Sequence, residues 1–272
     1  LEGARDERDQ VEDRELDARL GRDDVPEFAD RRAAQRPPRH ARSKLPVGAR
    51  VARRVESCAV VRWGIAGTGR IARDFAEGLR QTPDARIVAV GSRTPEAARN
   101  FADAAVGAGA GVAVGSYEDL WANPDVDVVY VATPHSRHHP DTLAALAAGK
   151  HVLCEKPLAL NERQASEMVA AARGARRFLM EALWSRFLPP YRDLVGVLRA
   201  GTIGEPRLVE ATFGFRAPYR PEHRLFNPAL GGGSILDLWL YCLNVARLTL
   251  GEHESMTAEA QLTPLGVDHT VH

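Results

Sequence analysis

The 272-residue chain is 44% hydrophobic, 26% charged and 6% aromatic, enough to bury a core and to form two compact units. Its 36 basic and 36 acidic side chains cancel, so no charge excess is available to hold a phosphate backbone and no nucleic-acid partner is expected. Cys58, Cys154 and Cys242 are odd in number and outside any CxxC spacing, which argues against a disulfide framework or zinc site and makes a reducing cytoplasm the default.

Residues 1–30 carry 12 acidic and 5 basic side chains, and residues 31–57 carry 9 basic and 1 acidic. With Phe28 as its only aromatic residue and no Ile, Met, Trp or Tyr, residues 1–57 read as a disordered charged extension. The amino terminus lacks the apolar stretch of a signal peptide, and no apolar run is read as long enough to span a membrane. No membrane partner is therefore expected.

Composition changes at residue 58. The apolar run CAVVRWGIA (58–66) predicts a strand, Gly67-Thr68-Gly69-Arg70-Ile71-Ala72 a glycine turn, and Ile71, Phe75 and Leu79 one face of a helix ending near Arg80. Strand, glycine turn and helix in this order form the dinucleotide fingerprint. The first glycine makes the turn, the second admits backbone to a pyrophosphate, and a small third residue, here Ala72, lets the helix pack on the sheet. The pyrophosphate would lie at the helix amino terminus.

Residues 86–91 predict a second strand and 95–105 a helix with proline in its first turn. Where an NAD-binding unit carries Asp or Glu for the ribose 2'-hydroxyl, this chain has Gly91-Ser92-Arg93; a guanidinium in place of a carboxylate favours NADP, with NAD as the alternative. A buried strand follows at 126–132, a helix at 141–148 ended by Gly149, and a strand at 151–154. Asn161 with Gln164 is a capping-box pattern opening a helix that ends at Gly174. The alternation implies an α/β fold with a Rossmann doubly wound parallel sheet.

Only Lys44, Lys150 and Lys156 are lysine among the 36 basic residues. Lysine is a compact, tunable point charge where arginine is a fixed planar fork, so Lys156 in EKP is a candidate for chemistry. His135, His138 and His139 are not read as a metal site, because adjacent histidines point apart and no Cys or carboxylate completes the spacing.

Four segments, VRWGIAGTGRIA (61–72), VATPHSRHHPDTLAALAAGKHVLCEKPLALN (131–161), MEALWSRFLP (180–189) and GGGSILDLWLYCLN (231–244), together resemble the Gfo/Idh/MocA oxidoreductase family, closest to its dihydrodiol dehydrogenase and glucose-fructose oxidoreductase branch. The resemblance implies a dinucleotide-binding domain over 58–180. It also implies a substrate and oligomerisation domain over 181–272, built on an open, mostly antiparallel sheet whose last strands lie beyond His272, with a homo-oligomer formed through that sheet.

The resemblance further implies an NAD(P)-dependent dehydrogenase or reductase acting on CH–OH groups of a sugar, polyol or cyclic diol. The alternative is a truncated, inactive member that only binds dinucleotide. Cofactor contacts carry over to Gly67, Thr68, Gly69, Arg70, Ile71, Ser92, Arg93, Thr133, Pro134, His135, His138, Glu155, Lys156, Trp184 and Arg186. The catalytic set carries over to Lys156, Asp237 and Tyr241, the last two spaced to share one helix face. In this scheme Tyr241 is the general acid and base, Lys156 stabilises oxyanion charge and lowers the tyrosine pKa, and Asp237 orients substrate or Lys156. Trp239 stands where relatives carry a small residue.

Overall fold

A computed structural model describes residues 60–272, all within the compact unit Val55–His272. The reading of residues 1–57 as a charged extension lies outside the described residues. Six strands form one parallel sheet in the order β3-β2-β1-β4-β5-β6: β1 Val61–Ala66, β2 Ala85–Gly91, β3 Ala113–Gly115, β4 Val128–Val131, β5 His151–Glu155 and β6 Leu179–Ala182. The order reverses between β1 and β4, the switch point at which such sheets open a crevice at their carboxyl ends. Helices α1 Arg70–Arg80, α2 Pro95–Ala105, α3 Tyr117–Ala122, α4 His135–Ala147 and α5 Glu162–Ala175 alternate with the strands.

Both sheet faces are covered, which is why the central strands read as almost unbroken apolar runs. Ile65, Val90, Phe101 and Tyr130 pack with Ala72 and Ala76 of α1 in one core cluster. Val129, Val131, Val152, Leu146 and Met168 belong to the other. Alanines at 72 and 76 let α1 approach the sheet closely, and they set its buried face together with Leu79. The expected Ile71–Phe75–Leu79 stripe is therefore rotated, and Ile71 is 38% exposed beside the glycine turn.

Local chemistry explains several ends. Thr94 Oγ1 accepts from the Ala97 amide at 3.2 Å and caps α2 over the expected boundaries. Asn161 Oδ1 accepts from the Gln164 amide at 3.0 Å, but the Gln164 side chain accepts from the Leu160 amide instead of completing a capping box. The reciprocal box occurs at Ser116 and Asp119, opening α3, a helix too short to show periodicity. Strands β3 and β6 were likewise not read, at three and four residues. Helix α4 begins at His135, not 141, and runs through Pro140, which lies inside it and gives up one intrahelical hydrogen bond. Lys150 Nζ donates to the carbonyls of Asn123 at 2.5 Å and Val126 at 3.0 Å, closing the turn into β4. That is a structural reason for its being lysine.

After β6 come a 3-10 turn Trp184–Phe187, α6 Pro189–Arg199, a 3-10 turn Pro228–Leu230, a π-helical segment Ile235–Trp239, α7 Leu240–Leu250 and the antiparallel pair β7 Ala260–Leu262 and β8 Asp268–Val271. Among the described residues, 205–220 pair with no strand. By length and composition Pro228–Leu250 is long and apolar enough to cross a membrane, contrary to the expectation from sequence. It is however broken by three helical types, and its Asp237 is buried against two cations. Those contacts fix it to the parallel-sheet body.

Candidate active site

The loops after β1, β2, β4 and β5 meet at the carboxyl edge of the sheet. Gly67 follows β1 with φ +99°, and a Cβ there would stand 2.6 Å from the Ala132 carbonyl oxygen after β4. Only glycine fits this crossing. Gly69 precedes α1, whose first turn holds no acidic residue and whose N-cap makes no side-chain hydrogen bond among the described residues, so its amides and positive helix end suit an anion. This bare, glycine-built turn at the switch point fits a pyrophosphate. Ser92 is buried after β2, and Arg93 is exposed beside the α2 cap. Arg93 and Arg137 both lie within electrostatic reach of the Tyr117 hydroxyl.

The β4 loop is fixed from beneath. Thr133 Oγ1 donates to Asp141 Oδ2 at 2.8 Å, and Asp141 also takes Arg137 Nη2 at 2.5 Å. His138 is fully buried, with Nδ1 2.7 Å from the Pro157 carbonyl and Nε2 2.9 Å from the Thr133 carbonyl. It bridges the β4 loop to the loop after β5. Burial pushes its pKa below 6.5 and the two carbonyls oppose that push. His139 instead meets Glu167 Oε2 at 2.7 Å, so the three histidines serve three different neighbours.

Strand β5 delivers Glu155 and Lys156. Glu155 Oε1 accepts from the Tyr130 hydroxyl at 2.5 Å, and Oε2 accepts from the Lys156 amide at 3.1 Å. Burial pushes the Glu155 carboxyl up, against the pull of these donors. Lys156 Nζ donates twice to Asp237, to its carbonyl and to Oδ1, each at 2.8 Å. One ammonium N–H remains. Burial alone would push the Asp237 carboxyl up, but Arg224, whose Nη1 is 3.2 Å away, and Lys156 hold it below the ordinary value. His135 donates through Nδ1 to the Gly231 carbonyl at 2.8 Å, and its Nε2 lies 4.0 Å from Asp237 Oδ1. Burial lowers His135 to about 4, so at neutral pH the ring is uncharged and Nε2 carries a lone pair.

Tyr241 joins this cluster in a different way from that expected. The Lys156 ammonium lies 5.4 Å from the centre of the Tyr241 ring, a cation over a π face, while the Tyr241 hydroxyl accepts from Trp184 Nε1 at 2.9 Å. Burial pushes Tyr241 up to about 12 despite that donor. The expectation that Lys156 lowers the tyrosine pKa is therefore corrected, since the ammonium is committed to Asp237. Asp237 does orient Lys156. The two helix residues approach the lysine from one side even though Asp237 sits in the π-helical segment and Tyr241 in α7. Arg186 Nε donates to Asn244 Oδ1 at 2.7 Å, joining the segment after β6 to α7. Trp239 is half-buried and off the cavity wall.

A cavity of about 480 Å³, lined by Phe215, Tyr219, Phe226, Thr263 and His269, reaches the cluster through Asp237. Lys156 and Tyr241 are not on its wall, so the cavity and the charged cluster meet at Asp237. Arg224 and Tyr130 are site residues that sequence reasoning missed. Arg224 is one arginine among many with no motif spacing. Tyr130 left a signal, a hydroxyl inside a strand buried on both faces, which requires a partner.

The family described as "Oxidoreductase family, NAD-binding Rossmann fold" matches residues 61–183, and the GFO/IDH/MocA C-terminal domain matches residues 191–272. The chain belongs to the GFO/IDH/MocA oxidoreductase family. Over 214 residues it is 43% identical to the trans-1,2-dihydrobenzene-1,2-diol dehydrogenase of Xenopus laevis, covering 77% of this chain and 63% of that one. The enzyme of the same name from Mus musculus is 43% identical over 215 residues, again covering 63% of its length. The chain thus spans about 63% of these GFO/IDH/MocA relatives.

Two solved structures extend the comparison. An aldose-aldose oxidoreductase from Caulobacter crescentus complexed with glycerol gives a TM-score of 0.64 at 32% identity, covering 75% of this chain and 62% of that one. A 3-ketoreductase from Actinomadura kijaniata in complex with NADP and TDP-benzene gives 0.60 at 32% identity, covering 70% and 57%.

Proposed function

We propose that this GFO/IDH/MocA chain carries out NADP-dependent hydride transfer at a CH–OH or carbonyl carbon of a sugar, polyol or cyclic diol. The observation that carries the reading is Lys156, held by Asp237 at the end of β5 with one ammonium N–H unspent and Tyr241 alongside. Gly67, Thr68, Gly69, Arg70 and Ile71 would hold the pyrophosphate, and Ser92 and Arg93 the 2'-phosphate. The loop Thr133–His135, Glu155, Trp184 and Arg186 would hold the nicotinamide half. Relatives named for a diol and for aldoses support the substrate class, and the neighbour with bound NADP supports the cofactor.

When bound, the nicotinamide supplies the hydride chemistry. In carbonyl reduction Lys156 would stabilise the negative charge growing on the substrate oxygen, and the Tyr241 hydroxyl would give that oxygen its proton. With its pKa near 12, Tyr241 is protonated at neutral pH. It is then in the form that can give a proton to a carbonyl oxygen, while alcohol oxidation, which needs the phenolate as acceptor, gains rate with alkaline pH. The cysteines are compatible with a cytoplasmic setting, Cys154 and Cys242 being free thiols.

The test follows absorbance of the reduced nicotinamide while NADPH or NADH is offered with ketoses, inosose-type cyclic ketones and dicarbonyls, and the oxidised forms with sugars and cyclic diols. Turnover preferring NADPH, with Arg93→Asp weakening NADPH at least about tenfold more than NADH, is expected. Absence of turnover with every pair would sink the catalytic reading. Equal effects of Arg93→Asp on both dinucleotides would remove Arg93 from the 2'-phosphate.

A further inference from the structure

Arg224 lies just before the 3-10 turn Pro228–Leu230, in no motif, yet its Nη1 reaches Asp237 Oδ1 at 3.2 Å. That same oxygen accepts from Lys156 Nζ at 2.8 Å. Asp237 is 4% exposed, whereas the Arg224 side chain is 52% exposed. One buried carboxylate thus faces two cations and can cancel only one. Among the described residues, Glu155 of β5 also acts on Lys156 by charge, its carboxyl engaged by the Tyr130 hydroxyl and the Lys156 amide. His135 of α4 is neutral with its tautomer set by the Gly231 carbonyl, and Tyr241 of α7 is a neutral phenol. On β8, His269 shares the cavity wall, and Asp268 accepts from Ser234 Oγ and the Ile235 amide, each at 2.7 Å.

We infer that Arg224 is a positioning residue for the reaction site: by sharing Asp237 Oδ1 with Lys156, it draws off part of that carboxylate's charge and leaves the ammonium more positive toward the substrate oxygen. The inference rests on the hydride-transfer reading above. Without Arg224, lysine and aspartate cancel each other, and the oxyanion forms opposite a neutral pair. Arg224 and Lys156, each by charge and by a hydrogen bond, hold the Asp237 carboxyl down against its burial. A carboxyl held low takes up its proton only at low pH, so loss of Arg224 moves that uptake to higher pH. Protonated Asp237 would no longer anchor the ammonium by charge, and turnover would fall with it.

The experiment titrates carboxyl-13C-labelled aspartate by NMR in wild type, Arg224→Gln and Arg224→Lys, with Asp237→Asn assigning the signal. The pH profiles of kcat and KM are measured on the same proteins. In Arg224→Gln the Asp237 midpoint is expected to rise by about one unit, roughly tenfold in protonation equilibrium. The acid limb of kcat should rise with it, while KM for the dinucleotide changes less than about twofold. Arg224→Lys should recover at least half of the shift. An unmoved midpoint in folded Arg224→Gln overturns the inference, as does a moved midpoint with an unmoved acid limb and full kcat. A wild type without turnover overturns the hydride-transfer reading instead, and the carboxyl titration then decides by itself whether Arg224 sets the charge of Asp237.

Discussion

Replacing Tyr130 by phenylalanine removes one oxygen and little else. The ring keeps its stack on Phe75, with centroids 3.9 Å apart and planes at 24°. What disappears is the 2.5 Å donor to Glu155 Oε1, between residues only 1% and 6% exposed. A buried hydrogen bond to a charged group is worth about 1.5–3 kcal/mol. For a body of this size each kcal/mol moves the melting point by about 2–4 °C, so Tyr130→Phe should melt about 3–12 °C lower. The pH dependence has a definite sign. Burial raises the folded pKa of Glu155, so the stability it contributes is complete below its unfolded value and declines as pH rises through the folded value. Loss of the Tyr130 donor raises the folded value further, so the deficit of Tyr130→Phe should widen from acid toward neutral pH. Melting curves by circular dichroism across that range, for both single variants and Tyr130→Phe/Glu155→Gln, measure the coupling. If the two substitutions add within about 0.5 kcal/mol at neutral pH, the hydrogen bond does not carry the cost and the reasoning fails.

Lys156→Met removes the two Nζ hydrogen bonds to Asp237 and should lower kcat at least about a hundredfold while dinucleotide affinity, followed by fluorescence, stays within about threefold. Lys156→Arg should fail similarly, because a planar fork cannot reproduce the three directions of an ammonium; near-normal turnover would count against the assignment. Trp184→Phe deletes the donor that restrains Tyr241, so the tyrosine should stay protonated to higher pH and the alkaline limb of carbonyl reduction should move upward. Gly67→Ala places a Cβ 2.6 Å from the Ala132 carbonyl at φ +99°, costing about 1–3 kcal/mol in backbone strain alone. Calorimetry should find dinucleotide binding lost while the chain remains folded.

Most of the parallel sheet was legible because β1, β2, β4 and β5, with α1, α2 and α5, declare themselves locally. Apolar runs such as Val126–Ala132, the glycine turn at 67–69, and Pro95 at a helix start each follow from short-range sterics and burial. The short elements β3, α3 and β6 leave no such signal, since they are held by ladder partners and caps, not by periodicity. The rotated face of α1 was misread for a related reason: two alanines give a weak apolar signal but allow the closest packing.

At the site, the residue set was already present in EKP, the histidine loop and the Asp237–Tyr241 spacing. What each residue does was not. The ammonium of Lys156 lies beside both Asp237 and Tyr241, and only the packing of the π-helical segment against the end of β5 gives its hydrogen bonds to Asp237. Arg224 and Tyr130 stand 68 and 26 residues away from Lys156, at positions no motif marks, and they enter the site through tertiary contact alone. Residue types and spacings fix which groups are available, because those are covalent facts. Which charge cancels which, and so where a proton resides, depends on distances and burial that only the folded chain sets.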